Sequence, residues 1–286
     1  MGVELTPAGI EIRQAASTMH HGARRLMASF TKSTKTIRTV NIGCTEGLGA
    51  FWIMPRLLEL TDTEPGLNIT LNCETSVQDV ASLAVDFAIQ FDPPNNPDLI
   101  VTRLCWLHVV LFASQRYVAR HGAPKTKAEL GNFNVLEIAG AQIWREALEL
   151  DSYARDRKEF VRFTTNTASA QLVGTSRGGG ISALPTYTET LTQGLVHVAQ
   201  DWVLRRDLWL VCNPNVVNHP HIRKCIEYVK RAFDPARYPW FRKEFIPPAE
   251  IRRFIKDRGL MTMFEGYSEY ADIPPEPTYE AATLKG

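Results

Sequence analysis

The sequence predicts an α/β protein in which a long N-terminal helix leads into a mostly parallel sheet covered by helices. Three observations carry this. Apolar residues Ile12, Ala16, Met19, Ala23, Leu26 and Phe30 are spaced 4, 3, 4, 3, 4. Strand-like and helix-like segments alternate between Val40 and Phe91, the βαβ signature of a parallel sheet. A similar mixture follows "TRLCWLHVVLFAS", a strand-like stretch about the length needed to cross between two lobes.

The helix comes first. Thr6-Pro7 is a good start, because a threonine hydroxyl caps free N–H groups and proline is welcome at the first helical position. The heptad seam that follows suits pairing with another helix, and Ala16 and Ala23 permit close approach. Arg13, Arg24, Arg25, Lys32 and Lys35 make the remainder basic, and "TKSTKT" reads as a polar linker.

"TVNIGC" then alternates, with Val40, Ile42 and Cys44 on one face, and "GLGAFWIMPRLLELTD" reads as a helix that starts late or kinks at Pro55. "LNITLNCE" alternates again. "SVQDVASLAV" reads as a short helix capped by Ser76, and "DFAIQF" as a buried strand. In the second half "SQRYVARHG" and "TKAELGN" look helical, "NVLEIA" and "EFVRFTTN" look like strands, and "TASAQLVGTSRG" is a helix capped by Thr167. "GISALP", "LVHVA" and "DLWLVCNP" are strands, and "HPHIRKCIEYVKRAF" is an amphipathic helix. Residues 241–286 read as an appended segment with one helix and a tail rich in Pro, Glu and Tyr.

Composition narrows the function. The chain has 286 residues, 44% hydrophobic, with a net charge of +1, so no global electrostatic case exists for nucleic acid, membrane or an acidic substrate. No apolar run is long enough to span a bilayer, and the opening residues do not form a signal peptide. Cys44, Cys73, Cys105, Cys212 and Cys225 are scattered without a CxxC and read as reduced core thiols, which implies the cytoplasm.

"GTSRG" matches G-x-S-x-G around Ser176, with Asp201 or Asp207 and His219 or His221 following in hydrolase order. A nucleophile elbow needs a strand before the serine and a helix after it, and here the order is reversed. No metal-ligating or cofactor-binding pattern stands out, so neither an enzyme nor a bound cofactor or metal is expected. A binding site is better supported. Ligands of open α/β sheets lie beyond the C-terminal ends of strands. Those ends are Thr45, Glu46 and Gly47; Thr75 and Ser76; Gln90 and Phe91; and Thr165, Asn166 and Thr167. Their hydroxyls and amides at helix starts suit a small polar ligand.

Five stretches together resemble the LysR-type transcriptional regulators. "GVELTPAG" resembles the family's passage from the wing of its winged helix-turn-helix into the linker helix, and "VNIGCTEGLGAFWIMPRLLEL" the start of its effector-binding domain. "LAVDFAIQF" resembles its third strand, "AQLVGTSRGGGISALP" its helix–glycine–strand turn, and "LWLVCNPNVVNHPHIRKCIEYV" its return strand and last helix. The resemblance implies a two-lobed domain like the type 2 periplasmic binding proteins. Residues 1–36 would be the end of the winged helix plus a dimerisation helix. Residues 37–240 would be the effector domain, with lobe one at 37–112 and 213–240 and lobe two at 113–212. Residues 241–286 would be an extension. It also implies a small-molecule effector in the cleft, a homodimer or homotetramer through the linker helix, and DNA as partner of the full-length protein. The family's recognition helix lies upstream of the wing, so no DNA-binding residue is assigned within this sequence. A solute-binding protein of the same fold and a hydrolase using Ser176 are the competing readings. Glu46 departs from the family, because an acidic residue at the effector turn disfavours a simple carboxylate effector unless Arg177 or another cation offsets it.

Overall fold

A computed structural model of the chain describes residues 38–74, 80–81, 83–139, 149, 156–192 and 194–258, together with 6, 8–9, 11–12, 15–16, 19 and 22–23. In the N-terminal stretch residues 8–9, 11–12, 15–16, 19 and 22–23 are helical, and Leu26 and Phe30 of the heptad seam lie outside the described residues.

β1 (Arg38–Cys44) pairs in parallel with β2 (Leu67–Cys73) on one side and β3 (Phe87–Gln90) on the other. Val40, Ile42 and Cys44 are buried, as the alternation predicts. Asp86 fixes the β1–β3 pairing: its Oδ2 accepts from the Asn41 N–H at 2.7 Å, while its own N–H donates to the Asn41 carbonyl at 2.8 Å. The helix between β1 and β2 has three parts. A short α-helical turn (Glu46–Leu48) and a π-helical turn (Gly49–Ile53) precede α1 (Met54–Thr63). Pro55 therefore falls inside one continuous helical run, directly after the π turn, a local widening that accommodates a proline ring. The helix expected after β2 is not found in the described residues. Val80, Ala81 and Leu83 lie in turns, Leu83 with φ 62°, and Thr75 to Asp79, including the expected cap Ser76, lie outside the described residues.

β4 (Ile100–Ser114) is the crossing strand. It runs antiparallel to β9 (Leu204–Cys212), which also pairs with β3, so the sheet order is β2-β1-β3-β9-β4. The far end of β4 carries lobe two. There β7 (Ser182–Pro185) and β8 (Leu195–Val198) pair with it, and the parallel pair β5 (Val135–Ile138) and β6 (Val161–Thr165) joins β7 through the bridge Val135–Ile181. α2 (Gln115–His121) follows β4 directly, capped by the Ser114 hydroxyl, which accepts from the Tyr117 N–H at 3.2 Å. "TKAELGN" forms a 3-10 turn (Lys127–Asn132) rather than an α-helix.

α3 (Ala168–Ser176) lies on lobe two, and α4 (Pro220–Ala232) buries Ile222, Cys225, Ile226 and Val229 against lobe one. The segment after α4 returns to the core. Tyr238, Trp240, Phe241 and Ile246 are buried, as are Ile251 and Ile255 of α5 (Pro248–Arg258). Their anchor is Trp52 in the π turn. Its ring centre lies 4.9–6.4 Å from those of Phe241, Tyr238, Tyr187, Trp240 and Phe233, and its indole N–H donates to the Ala232 carbonyl at 3.0 Å. The buried Arg56 guanidinium stacks 3.3 Å above the same ring, and burial lowers its pKa to about 10. One tryptophan thus ties the first helix of lobe one to the turn after β7 and to the C-terminal segment. Four of the cysteines are buried, as expected of core thiols. Cys73 is exposed, because β2 is an edge strand whose last residue reaches solvent.

Two histidines couple the waist to pH. His108 on β4 is buried with Nε2 3.2 Å from the Lys243 carbonyl, and His197 on β8 stacks at the ring edge of Phe245. Burial is the main cause that lowers both pKa values below the ordinary 6.5. The folded chain therefore holds both rings neutral, while the unfolded chain takes up protons below about pH 6.5. Stability is full above that pH and is lost as pH falls below it. The urea midpoint is expected to hold steady above neutrality and to decline in mildly acidic buffer, less steeply in His197→Phe; a flat profile in the parent chain contradicts this assignment.

Candidate functional site

The site is built from two strand ends that face each other. In lobe one β1 stops at Cys44. Thr45 is extended (φ −74°, ψ 152°), and its carbonyl accepts from the Gly49 N–H at 2.9 Å, which opens the short helical turn and places Glu46 in it. In lobe two β6 stops at Thr165. Thr167 is the N-cap of α3, its hydroxyl accepting from the Ala170 N–H at 3.4 Å, and the Thr165 hydroxyl accepts from the Thr167 N–H at 3.2 Å.

Glu46 joins the two ends. Its Oε2 accepts from the backbone N–H groups of Ala168 at 2.7 Å and Ser169 at 3.1 Å, the first residues of α3. A helix start offers unpaired N–H groups and the positive end of the helix dipole, so it favours a carboxylate. The charge on Glu46 is thus met by α3 itself. Arg177 is the C-cap of the same helix, and nine residues at 1.5 Å each put it about 13 Å further along. It does not offset Glu46. The approach is close enough that a Cβ on Gly47 would lie 2.8 Å from the Ala168 Cβ, so glycine is what lets the two turns meet.

α3 is held firmly from below. The Gln171 side-chain amide donates to the Leu136 carbonyl at 3.0 Å, and the Thr175 hydroxyl reaches the Ser182 hydroxyl at 2.7 Å. Gly180 has φ 157° and passes so near the Asn134 carbonyl that a Cβ would lie 2.4 Å from its oxygen. The glycines of "GTSRGGG" therefore serve a tight turn and close helix–sheet packing. Ser176 sits in the last turn of α3, its hydroxyl donating to the Leu172 carbonyl at 2.8 Å, with the strand following it.

The structure thus brings Glu46 and Gly47, next to Thr45, against Ala168 and Ser169, which directly follow Thr165, Asn166 and Thr167. Thr45, Thr165 and Thr167 are half-buried and Asn166 is exposed. Gln90 ends β3 and Phe91 follows it along the same sheet edge, but both are buried. The Gln90 amide donates to the Asp92 carbonyl at 2.6 Å, and Phe91 packs in the core. Thr75 and Ser76 lie outside the described residues. Sequence reasoning missed Ala168 and Ser169, which act through backbone N–H groups alone. The one available signal was a pair of small residues, Gly47 and Ala168, at two facing helix starts.

A family profile described as LysR substrate binding domain matches residues 34–234. A curated relative, "Probable HTH-type transcriptional regulator LtrA" of Klebsiella pneumoniae, is 23% identical over 238 residues, covering 79% of this chain and 76% of its own. The regulatory domain of CrgA, a LysR-type transcriptional regulator from Neisseria meningitidis, superposes with a TM-score of 0.57 at 16% identity, over 68% of this chain and 97% of that one. The Synechocystis PCC6803 CcmR regulatory domain, solved in complex with 2-PG, superposes with a TM-score of 0.54 at 15% identity, over 68% of this chain and 96% of that one.

Removing the Glu46 carboxylate leaves two N–H groups of α3 with water in place of a charged acceptor. Glu46→Ala is expected to lower stability by about 1–2 kcal/mol in urea unfolding, within the range for losing a helix cap. Glu46→Gln, which keeps a neutral acceptor, is expected to lose less. A Glu46→Ala chain as stable as the parent would show that the Glu46 carboxylate is not what satisfies α3.

Proposed function

The chain belongs to the LysR-type family of effector-binding transcriptional regulators, and from that premise we propose that its effector sits between the Thr45–Gly47 turn and the Thr165–Thr167 turn. The observation that supports this reading is the Glu46 contact with the first N–H groups of α3, which joins the turn after β1 to the helix start that follows Thr167. A ligand there is held from both lobes. It biases their relative position by its differential affinity for the two arrangements. The anion-binding end of α3 is already occupied by the chain's own carboxylate. A neutral or cationic polar effector adds hydrogen bonds to Thr45 and Asn166 without disturbing Glu46, whereas a simple carboxylate has to displace it. The reading assigns no catalytic role, cofactor or metal to these residues. No helix among the described residues is long and apolar enough to cross a membrane, and we place the protein in the cytoplasm with its family.

Assembly belongs to the same reading. Ile12 and Met19 are 69% and 76% exposed on the single chain, at heptad positions of the N-terminal helix. A second copy that covers them gives a homo-oligomer. In the full-length regulator that pairing sets the spacing of two DNA-binding units. Light scattering on Met19→Glu is expected to give a smaller species than the parent; an unchanged mass removes the helix as the interface.

The cleft is tested by a thermal-shift screen of small polar metabolites, which is expected to find at least one stabilising compound through linkage. Thr45→Val should weaken that compound by about 1–3 kcal/mol, the cost of an unpaired buried polar group, and Asn166→Ala should weaken it too. A compound that binds both variants as tightly as the parent places the site elsewhere.

A further inference from the structure

We propose that Cys44 and Cys73 form a modification site, a dithiol that a hydroperoxide closes to an intrachain disulfide at the root of the Thr45–Gly47 turn. The proposal does not depend on where the effector binds.

The geometry carries it. β1 and β2 are parallel neighbours, and Cys44 and Cys73 are register partners at their C-terminal ends. Their sulfurs lie 3.9 Å apart. Neighbouring strands run about 4.8 Å apart, inside the Cα separations of about 4.4–6.8 Å that disulfides span, so side-chain rotation rather than strand movement closes the bond. Gly49 leaves the room. A Cβ there would lie 2.3 Å from the Cys73 sulfur and 3.0 Å from the Cys44 sulfur. The two thiols also differ in access. Cys73 is exposed and Cys44 is buried, as are Cys105, Cys212 and Cys225.

That asymmetry assigns the roles. The hydrogen bond with Cys44 holds the Cys73 thiol below its ordinary pKa, whereas the same contact and burial push Cys44 far up. The thiolate is the reactive form, so Cys73 is the attacking group. Its sulfur attacks one oxygen of the hydroperoxide. An S–O bond forms as the O–O bond breaks, and the departing oxygen takes a proton and leaves as alcohol, or as water when the oxidant is hydrogen peroxide. Cys73 is then a sulfenic acid. The Cys44 sulfur attacks the Cys73 sulfur, the S–S bond forms, and the S–O bond breaks. The leaving hydroxide carries away the Cys44 proton as water. Two thiols lose two electrons, and the hydroperoxide gains them. The product links the ends of β1 and β2 one residue before Thr45, and so fixes the base of the turn that presents Glu46.

The test treats the folded chain with hydrogen peroxide, quenches it by denaturing alkylation, and maps the peptides by mass spectrometry. Two alkylatable thiols should be lost, with a linked pair containing Cys44 and Cys73 that dithiothreitol restores, while Cys105, Cys212 and Cys225 remain alkylated. Cys73→Ser, a change at an exposed position, should abolish the link and leave every remaining thiol alkylatable. Cys44→Ala should trap Cys73 as a sulfenic acid that dimedone captures. The proposal is overturned if all five thiols survive in the parent, if Cys73 runs to sulfinic acid without linking, or if the link joins other cysteines.

Discussion

The antiparallel pairing of β4 with β9 is the constraint on which the rest of the structure depends. Its ladder runs from Ile100–Cys212 to Val109–Leu204. Lobe one hangs from one end, where β3 pairs with Trp209 to Cys212, and lobe two hangs from the other, where β7 and β8 pair with Val109 to Ser114. Sliding one lobe past the other would break a hydrogen-bonded ladder, whereas twisting about it would not. The register is irregular between Arg103 and Cys105, and such a bulge adds local twist. Arg103 covers that point from outside, 4.5 Å over the Trp106 ring and 3.9 Å from an Asp207 oxygen. The motion that this topology leaves open is rotation of the lobes about their shared strands.

Two further ties limit that rotation, and they differ in kind. The Trp52 cluster lies deep. Its rings come from lobe one, from the turn after β7 and from the segment beyond α4, and an aromatic core of this density resists rearrangement. The Glu46 contact lies at the cleft rim and is polar. Its partners are backbone N–H groups that water can satisfy as soon as the carboxylate leaves. The first tie is buried among rings; the second is a single polar contact between the turn after β1 and the start of α3.

The local elements were legible because each obeys a short-range rule. Alternation marked β1, and burial on one face marked α4 through Ile222, Ile226 and Val229. Glycine followed by an apolar run marked the turn into β7. Pro55 flagged an irregularity, but the π turn at Gly49–Ile53 that precedes it has no residue pattern of its own. Cys73 was read with the core because alternation does not say which strand forms the edge of a sheet. Residues 241–286 read as an appended segment, and Tyr238 and Trp240 before it carried no pattern of their own. Only the folded chain shows Trp240 and Phe241 returning to Trp52, nearly two hundred residues earlier. At the site, the strand ends were readable because ligand edges follow from topology. The Glu46–α3 contact was not, since it joins positions 122 apart through backbone groups that every residue carries.

The strength of that contact suits a reversible device. A hydrogen bond to a charged group contributes about 1.5–3 kcal/mol net, and Glu46 is half-exposed, so the pair falls toward the lower end of that range. An effector of micromolar affinity brings about 8 kcal/mol of binding free energy. That is several times the strength of the contact, so an effector bound beside Glu46 has enough free energy to shift it. A tie as strong as the Trp52 core would leave the lobes fixed whatever occupied the cleft, and no tie at all would leave the effector nothing to shift. A single carboxylate on two N–H groups lies between these limits, and for the effector site proposed at Thr45 its position one residue further on would make the same short turn both wall and clasp.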